Sequence, residues 1–243
     1  MSVVLGERLL GLDIYVGSFT RYFSGDWELA AARVARETGA TFSVVRQHDP
    51  EDAVRDPEQL RPIILQWRTG LAEALSKLVP EPFDWSEEAD TPYFTDKPAW
   101  DGYQSLLLWA AYEEHPELHR PDHIPEDWTN DAAIQLSMGG KTRYPALLSN
   151  VEFWLPVPFS IVFDADSPSG KKITMASSYA LAQQLRELND RTWKVTDSEM
   201  DHWTRQNFEY GAPIEEGARF AYALFQRHAN LSVMHRLPML LDY

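Results

Sequence analysis

The sequence predicts an α+β protein in which a mixed or antiparallel sheet is flanked by several helices, with one compact domain over residues 1–243. Three observations carry this. Near the start, Leu10, Leu12, Ile14 and Val16 alternate with Gly11, Asp13 and Tyr15, the period-two pattern of a half-buried strand. In the middle, short runs at 151–155, 159–163 and 173–176 read as strands, and the turns between them are too short for the crossovers of a doubly wound parallel sheet. Around them, apolar residues recur at helical spacing over 62–78, 100–114 and 213–235.

Taken in order, the strand over 10–16 ends at Gly17. A helix follows from Trp27 to Thr38, with Ser24 or Asp26 as its N-cap and Gly39 as its stop. A β-branched run at 41–45 completes a strand–helix–strand unit. Asp56-Pro57 and Arg61-Pro62 are helix starts before the helix over 62–78. Residues 79–98 hold four prolines and six acids, yet also Phe83, Trp85, Tyr93 and Phe94. So many rings predict a long ordered loop lying on the body, and a weak domain division would fall here. The helix over 100–114 is apolar nearly all round and belongs at the centre. Residues 117–128 form a loop, and 130–138 a short helix. Asp166 to Gly170 is a turn. Ser177 or Ser178 caps a helix to Leu188, a short helix follows Thr196, and 238–243 is a last strand.

Composition narrows the function classes. Hydrophobic residues make up 44% of the 243, enough for a substantial core. With 22 basic against 37 acidic residues the net charge is −15, which argues against nucleic acid and anionic membrane surfaces and suits a basic protein partner. The absence of cysteine removes thiolate chemistry, disulfides and cysteine-based metal sites. The first residues lack the basic start of a signal peptide, and the longest apolar run, 106–112, is too short to span a bilayer. A cytoplasmic protein without a cofactor is expected.

The densest polar and aromatic stretch is 9–28. If the first two strands are parallel in one sheet, the loop after the first lies at its carboxyl end, where open α/β sheets bind ligands. The candidate site residues are Asp13, Tyr15, Arg21, Tyr22 and Asp26, with Asp13 and Arg21 expected to pair. A phosphate site is disfavoured. Gly17 and Gly25 do not form a phosphate-binding glycine pattern, and Asp26 and Glu28 would repel an anion at the helix start. The structural alternative has Arg21 on a nearby carboxylate while Tyr22, Phe23 and Trp27 pack.

Other candidates are weaker. His115, His119 and His123 are spaced for one helical face, but Pro116 and Pro121 prevent the helix, so no metal is expected. His228 and His235 share a face of the last helix, as core residues or a ligand pair. His202 beside Asp201, and His48-Asp49 after the second strand, are acid–base candidates without an established neighbour. Ser177-Ser178 lacks the glycines of a nucleophile elbow and is explained by capping.

The runs Leu-Asp-Ile-Tyr-Val-Gly-Ser-Phe-Thr-Arg-Tyr-Phe-Ser-Gly-Asp-Trp-Glu at 12–28, Tyr-Phe-Thr-Asp-Lys-Pro-Ala-Trp-Asp at 93–101 and Leu-Pro-Met-Leu-Leu-Asp-Tyr at 237–243 resemble those of a family of uncharacterised bacterial proteins. The resemblance implies a bacterial origin and brings no activity or catalytic residue with it. Two function classes follow. One is a non-enzymatic binding protein of the immunity type, acting on a basic target. The other is an enzyme for a small polar substrate at the end of the first strand.

Overall fold

The computed structural model describes residues 11–40, 56–139, 141–205 and 209–243. Their six strands form one mixed sheet: β1 (Asp13–Val16), β2 (Phe94–Asp96), β3 (Phe153–Leu155), β4 (Phe163–Asp166), β5 (Lys172–Ser177) and β6 (Met239–Asp242). The spatial order is β2-β1-β6-β3-β5-β4, and only β3 and β5 run parallel. The last strand therefore lies between the first and the third, joining the two ends of the chain.

Helices cover both faces, which makes the protein α+β. On one face, Leu12, Ile14, Val16, Trp154, Met239 and Leu241 pack against a helical layer. That layer is built on α4 (Trp100–Glu114) and α9 (Ile214–His235), with α5 (Ala132–Gly139), α6 (Pro145–Leu148), α7 (Ser178–Arg191) and α8 (Asp197–Trp203) around them. On the other, Tyr15, Phe153, Leu155, Met175 and Leu240 meet α1 (Phe19–Ser24), α3 (Pro57–Leu75) and the chain around Val79, Phe83 and Trp85. A further helix, α2 (Ala30–Thr38), follows α1.

The alternation in β1 is as read, but this second layer buries both of its faces instead of one. Its neighbours β2 and β6 are both antiparallel to it. The run at 41–45 lies outside the described residues. The helix expected from Trp27 begins instead at Ala30. Ser18 caps an unforeseen helix, α1, which Gly25 closes at φ +76°, so Ser24 ends a helix and Asp26 follows one. Gly39 does stop α2, at φ +72°. Helix α3 starts at the first of its two signals, with Asp56 bonding the Glu58 amide, and Pro62 sits inside it. The strand expected over 159–163 begins only at its last residue, Phe163. The turn before Gly170 sets a hairpin register that pairs Phe163 with Met175 and Asp166 with Lys172. Ser177 caps α7, and Thr196 with Glu199 forms a capping box on α8.

Candidate functional site

The end of β1 is built from close approaches. Gly17 has no room for a side chain. A Cβ there would lie 2.6 Å from Tyr15 Cζ and 2.9 Å from Tyr93 Cβ, because the Tyr15 ring folds back so that its hydroxyl donates to the Ser18 carbonyl at 3.0 Å. Ser18 Oγ then accepts from the Arg21 amide at 3.3 Å and opens α1. Two more amides of that first turn have a tertiary partner. Phe19 N donates to Glu87 Oε1 at 3.3 Å and Thr20 N to Glu87 Oε2 at 2.8 Å, while the Trp85 indole donates to Oε1 at 2.8 Å. Glu87 is buried. A carboxylate from residues 79–98 thus occupies the helix end where an outside anion would bind.

Arg21 does not pair with Asp13. Its fork clasps the neighbouring loop: Nη1 donates to the Thr91 carbonyl and Nη2 to the Ala89 carbonyl, each at 2.5 Å, with the guanidinium 5.0 Å from the Tyr93 ring centre. Its carboxylate neighbour is Asp26, 3.9 Å away and largely exposed. Carbonyls attract the guanidinium into the fold without the like-charge burden of a second buried carboxylate.

Asp13 faces other groups. It sits opposite Asp242 in the β1–β6 register. Burial is the main cause raising its pKa to about 6. The Asp242 and Asp96 charges add to this, while Lys97 and the Ala30 amide at the start of α2 oppose it. Its Oδ1 has no hydrogen-bond partner among the described residues. Gly11 leaves the space through which Lys97 approaches; a Cβ there would lie 2.7 Å from Lys97 Cε. Tyr22 donates to Asp242 Oδ1 at 2.8 Å, and burial together with that carboxylate pushes its hydroxyl well above the usual tyrosine range. Burial does the same to Tyr15.

The five candidate residues therefore separate by role. Tyr15 and Tyr22 touch, ring centres 5.4 Å apart, inside a cluster with Trp27 and Tyr93. Arg21 fastens the loop, Asp13 belongs to a carboxyl pair across two strands, and Asp26 lies at the rim. The packing of Tyr22, Phe23 and Trp27 follows the structural alternative. The residues that organise this place and were not among its candidates are Glu87, Trp85, Tyr93 and Asp242, although Trp85 and Tyr93 are among the rings expected to hold the loop on the body. A signal for the first two was present: Phe83, Trp85 and Glu87 alternate with Asp84, Ser86 and Glu88, and in the structure the first set is buried and the second exposed.

The histidines are dispersed. His115 lies 3.5 Å from Glu117, His119 is exposed, and His123 meets the Gly211 carbonyl at 3.2 Å, all beyond the end of α4. Among the described residues no group of three or more histidine or acidic residues is placed to hold a metal. His202 is exposed, His235 packs its ring 4.9 Å from Phe94, and His228 is buried in α9. His48 and Asp49 lie outside the described residues. Ser177 and Ser178 are buried and hydrogen-bonded to the Val157 and Trp154 carbonyls. No helix among the described residues is long and apolar enough to cross a membrane.

Compared with protein-family models, with curated proteins and with solved structures, the chain matches none of them.

Proposed function

We propose that the protein is a non-enzymatic binding protein, of the immunity type, that engages a basic protein partner through its acidic, aromatic-bearing loops. The observation that carries this is the form of residues 81–90. Phe83, Trp85 and Glu87 lock the segment to the body, and Glu81, Asp84, Glu88 and Asp90 face solvent from a backbone already held in place. Arg236 pairs with Asp84 and Arg61 with Glu88, while Glu81 and Asp90 make no ion pair among the described residues. A preorganised acidic rim on a chain of net charge −15 lowers the ordering cost of binding and speeds encounter with a cation-rich surface.

The alternative, an enzyme acting on a small polar substrate at the end of β1, has less support. Arg21, Tyr22 and Glu87 are engaged with partners inside the chain. A bacterial, cytoplasmic setting without nucleic-acid or membrane partners accords with the resemblance, the missing cysteines and the charge. The test is affinity capture from bacterial lysate, followed by association kinetics of the captured protein. The proposal expects a basic partner whose association slows by about tenfold or more with added salt and with Glu81→Lys plus Asp90→Lys. A partner indifferent to both changes would refute it.

A further inference from the structure

One carboxylate of the acidic surface is framed by aromatic rings. A cavity of about 130 Å³ opens where the residue before β3, the end of β6, α1 and the β4–β5 turn meet, lined in part by Tyr22, Phe23, Glu152, Phe153, Lys171 and Tyr243. The sheet fixes Glu152: its amide donates to the Thr174 carbonyl at 3.0 Å, and its carbonyl accepts from the Leu241 amide at 3.0 Å. Its carboxylate faces two of the rings. Burial raises the hydroxyls of Tyr22 and Tyr243 above the usual tyrosine range, and the Glu152 charge adds to both.

A cation already sits there. Lys171 reaches over from the hairpin turn, its Nζ donating to Glu152 Oε2 at 2.9 Å and lying 5.6 Å from the Tyr243 ring centre. A carboxylate and an aromatic face about one ammonium are the elements of a cation-binding cage. The two charged partners are unequally held. The Glu152 side chain is 20% exposed and that of Lys171 63% exposed. An ion pair with so exposed a lysine contributes little to stability, so it opens at little cost.

We propose that this cavity is the anchor pocket for an arginine side chain of the basic partner, which displaces Lys171 from Glu152 and stacks on Tyr243. A guanidinium is the better occupant. Its fork takes both carboxylate oxygens where the ammonium takes one, it is less strongly hydrated, and its plane lies on an aromatic face. The resident lysine is a place-holder that a stronger ligand exchanges. The inference rests on the reading of the protein as a binder of a basic protein and adds the side chain that enters it. The pocket shares no residue with the acidic rim at 81–90.

The experiment is a nuclear magnetic resonance titration of the full chain with N-acetyl-arginine N-methylamide. The proposal expects one site per chain with a dissociation constant of about 10 mM or tighter, and no binding of the uncharged citrulline counterpart. Glu152→Gln should weaken binding by about tenfold or more, and Tyr243→Ala by about threefold. Lys171→Ala should tighten it by about threefold, because the resident competitor is gone. Lys172→Ala makes the same charge change at an exposed position outside the cavity and should leave affinity unchanged. Absence of binding up to about 50 mM, or equal effects of the two lysine substitutions, would overturn the pocket. Capture from lysate separates this from the wider reading. A basic partner retained equally by the parent and by Glu152→Gln would overturn the pocket and leave that reading standing. Binding of the arginine compound with no partner captured would uphold the pocket and count against the reading.

Discussion

The Thr20 amide donates to Glu87 Oε2 at 2.8 Å, joining residues 67 positions apart. This bond and its companions from Phe19 and Trp85 give the acidic segment a structural role. A negative group is favoured at a helix N-terminus because the first amides lack intrahelical partners. Here the chain provides that group, and in doing so fastens 84–91 beside β1. Arg21 completes the junction from the other side through the Ala89 and Thr91 carbonyls.

Arg21→Ala should destabilise the protein by about 2–3 kcal/mol, since it removes two charge-assisted bonds to backbone carbonyls. Arg21→Lys should recover less than half of the loss, because an ammonium cannot span both carbonyls as a planar fork does. Urea denaturation of the three proteins measures this; equal stability of the lysine variant and the parent would show that charge alone matters.

Gly17→Ala should cost about 1–3 kcal/mol by overpacking. The added methyl meets the Tyr15 ring and Tyr93 Cβ, so the tyrosine must swing off its bond to the Ser18 carbonyl. Near-ultraviolet circular dichroism should change along with the denaturation midpoint, and an unaltered spectrum would show that the ring does not move.

Asp13 sets a pH dependence of unusual sign for a carboxylate. Its folded pKa, about 6, lies above the ordinary value of 3.8, so between those values the folded state binds the proton that the unfolded state has released. Its contribution therefore weakens stability as pH rises from about 4 through 6, by about 2 kcal/mol. Asp13→Asn should remove that slope and raise stability at pH 7. Denaturation at pH 4.5 and pH 7 tests it; an asparagine variant less stable at pH 7 would show that Lys97 holds Asp13 usefully ionised.

Much of this was legible in the residues, and the failures have local causes. Apolar periodicity located the cores of α3, α4, α7 and α9, because burial of a helix stripe or flank dominates those segments. Alternation assigned Ile14 and Val16 to one face of β1 and Asp13 and Tyr15 to the other, as found. The second buried face escaped notice because it is covered by chain far away in sequence, α3 and the 79–85 region. The Asp13–Arg21 pair failed for a related reason. Nearness in sequence favoured it, but the Ala89 and Thr91 carbonyls that receive Arg21 carry no side-chain signal. Strand β2 is three residues long and held by register with β1, too brief for a pattern of its own.

Residues 84–91 and the β1–α1 junction hold each other through Glu87. Amide hydrogen exchange on Glu87→Ala tests it most directly. The substitution leaves three N–H donors unmet and should lower global stability by about 3–5 kcal/mol. Under conditions where the variant stays folded, Phe19 and Thr20 should lose protection together with residues 84–91, while amides of α4 and α9 remain slow. Unchanged protection at Thr20, or loss spread evenly over α4 and α9, would contradict it.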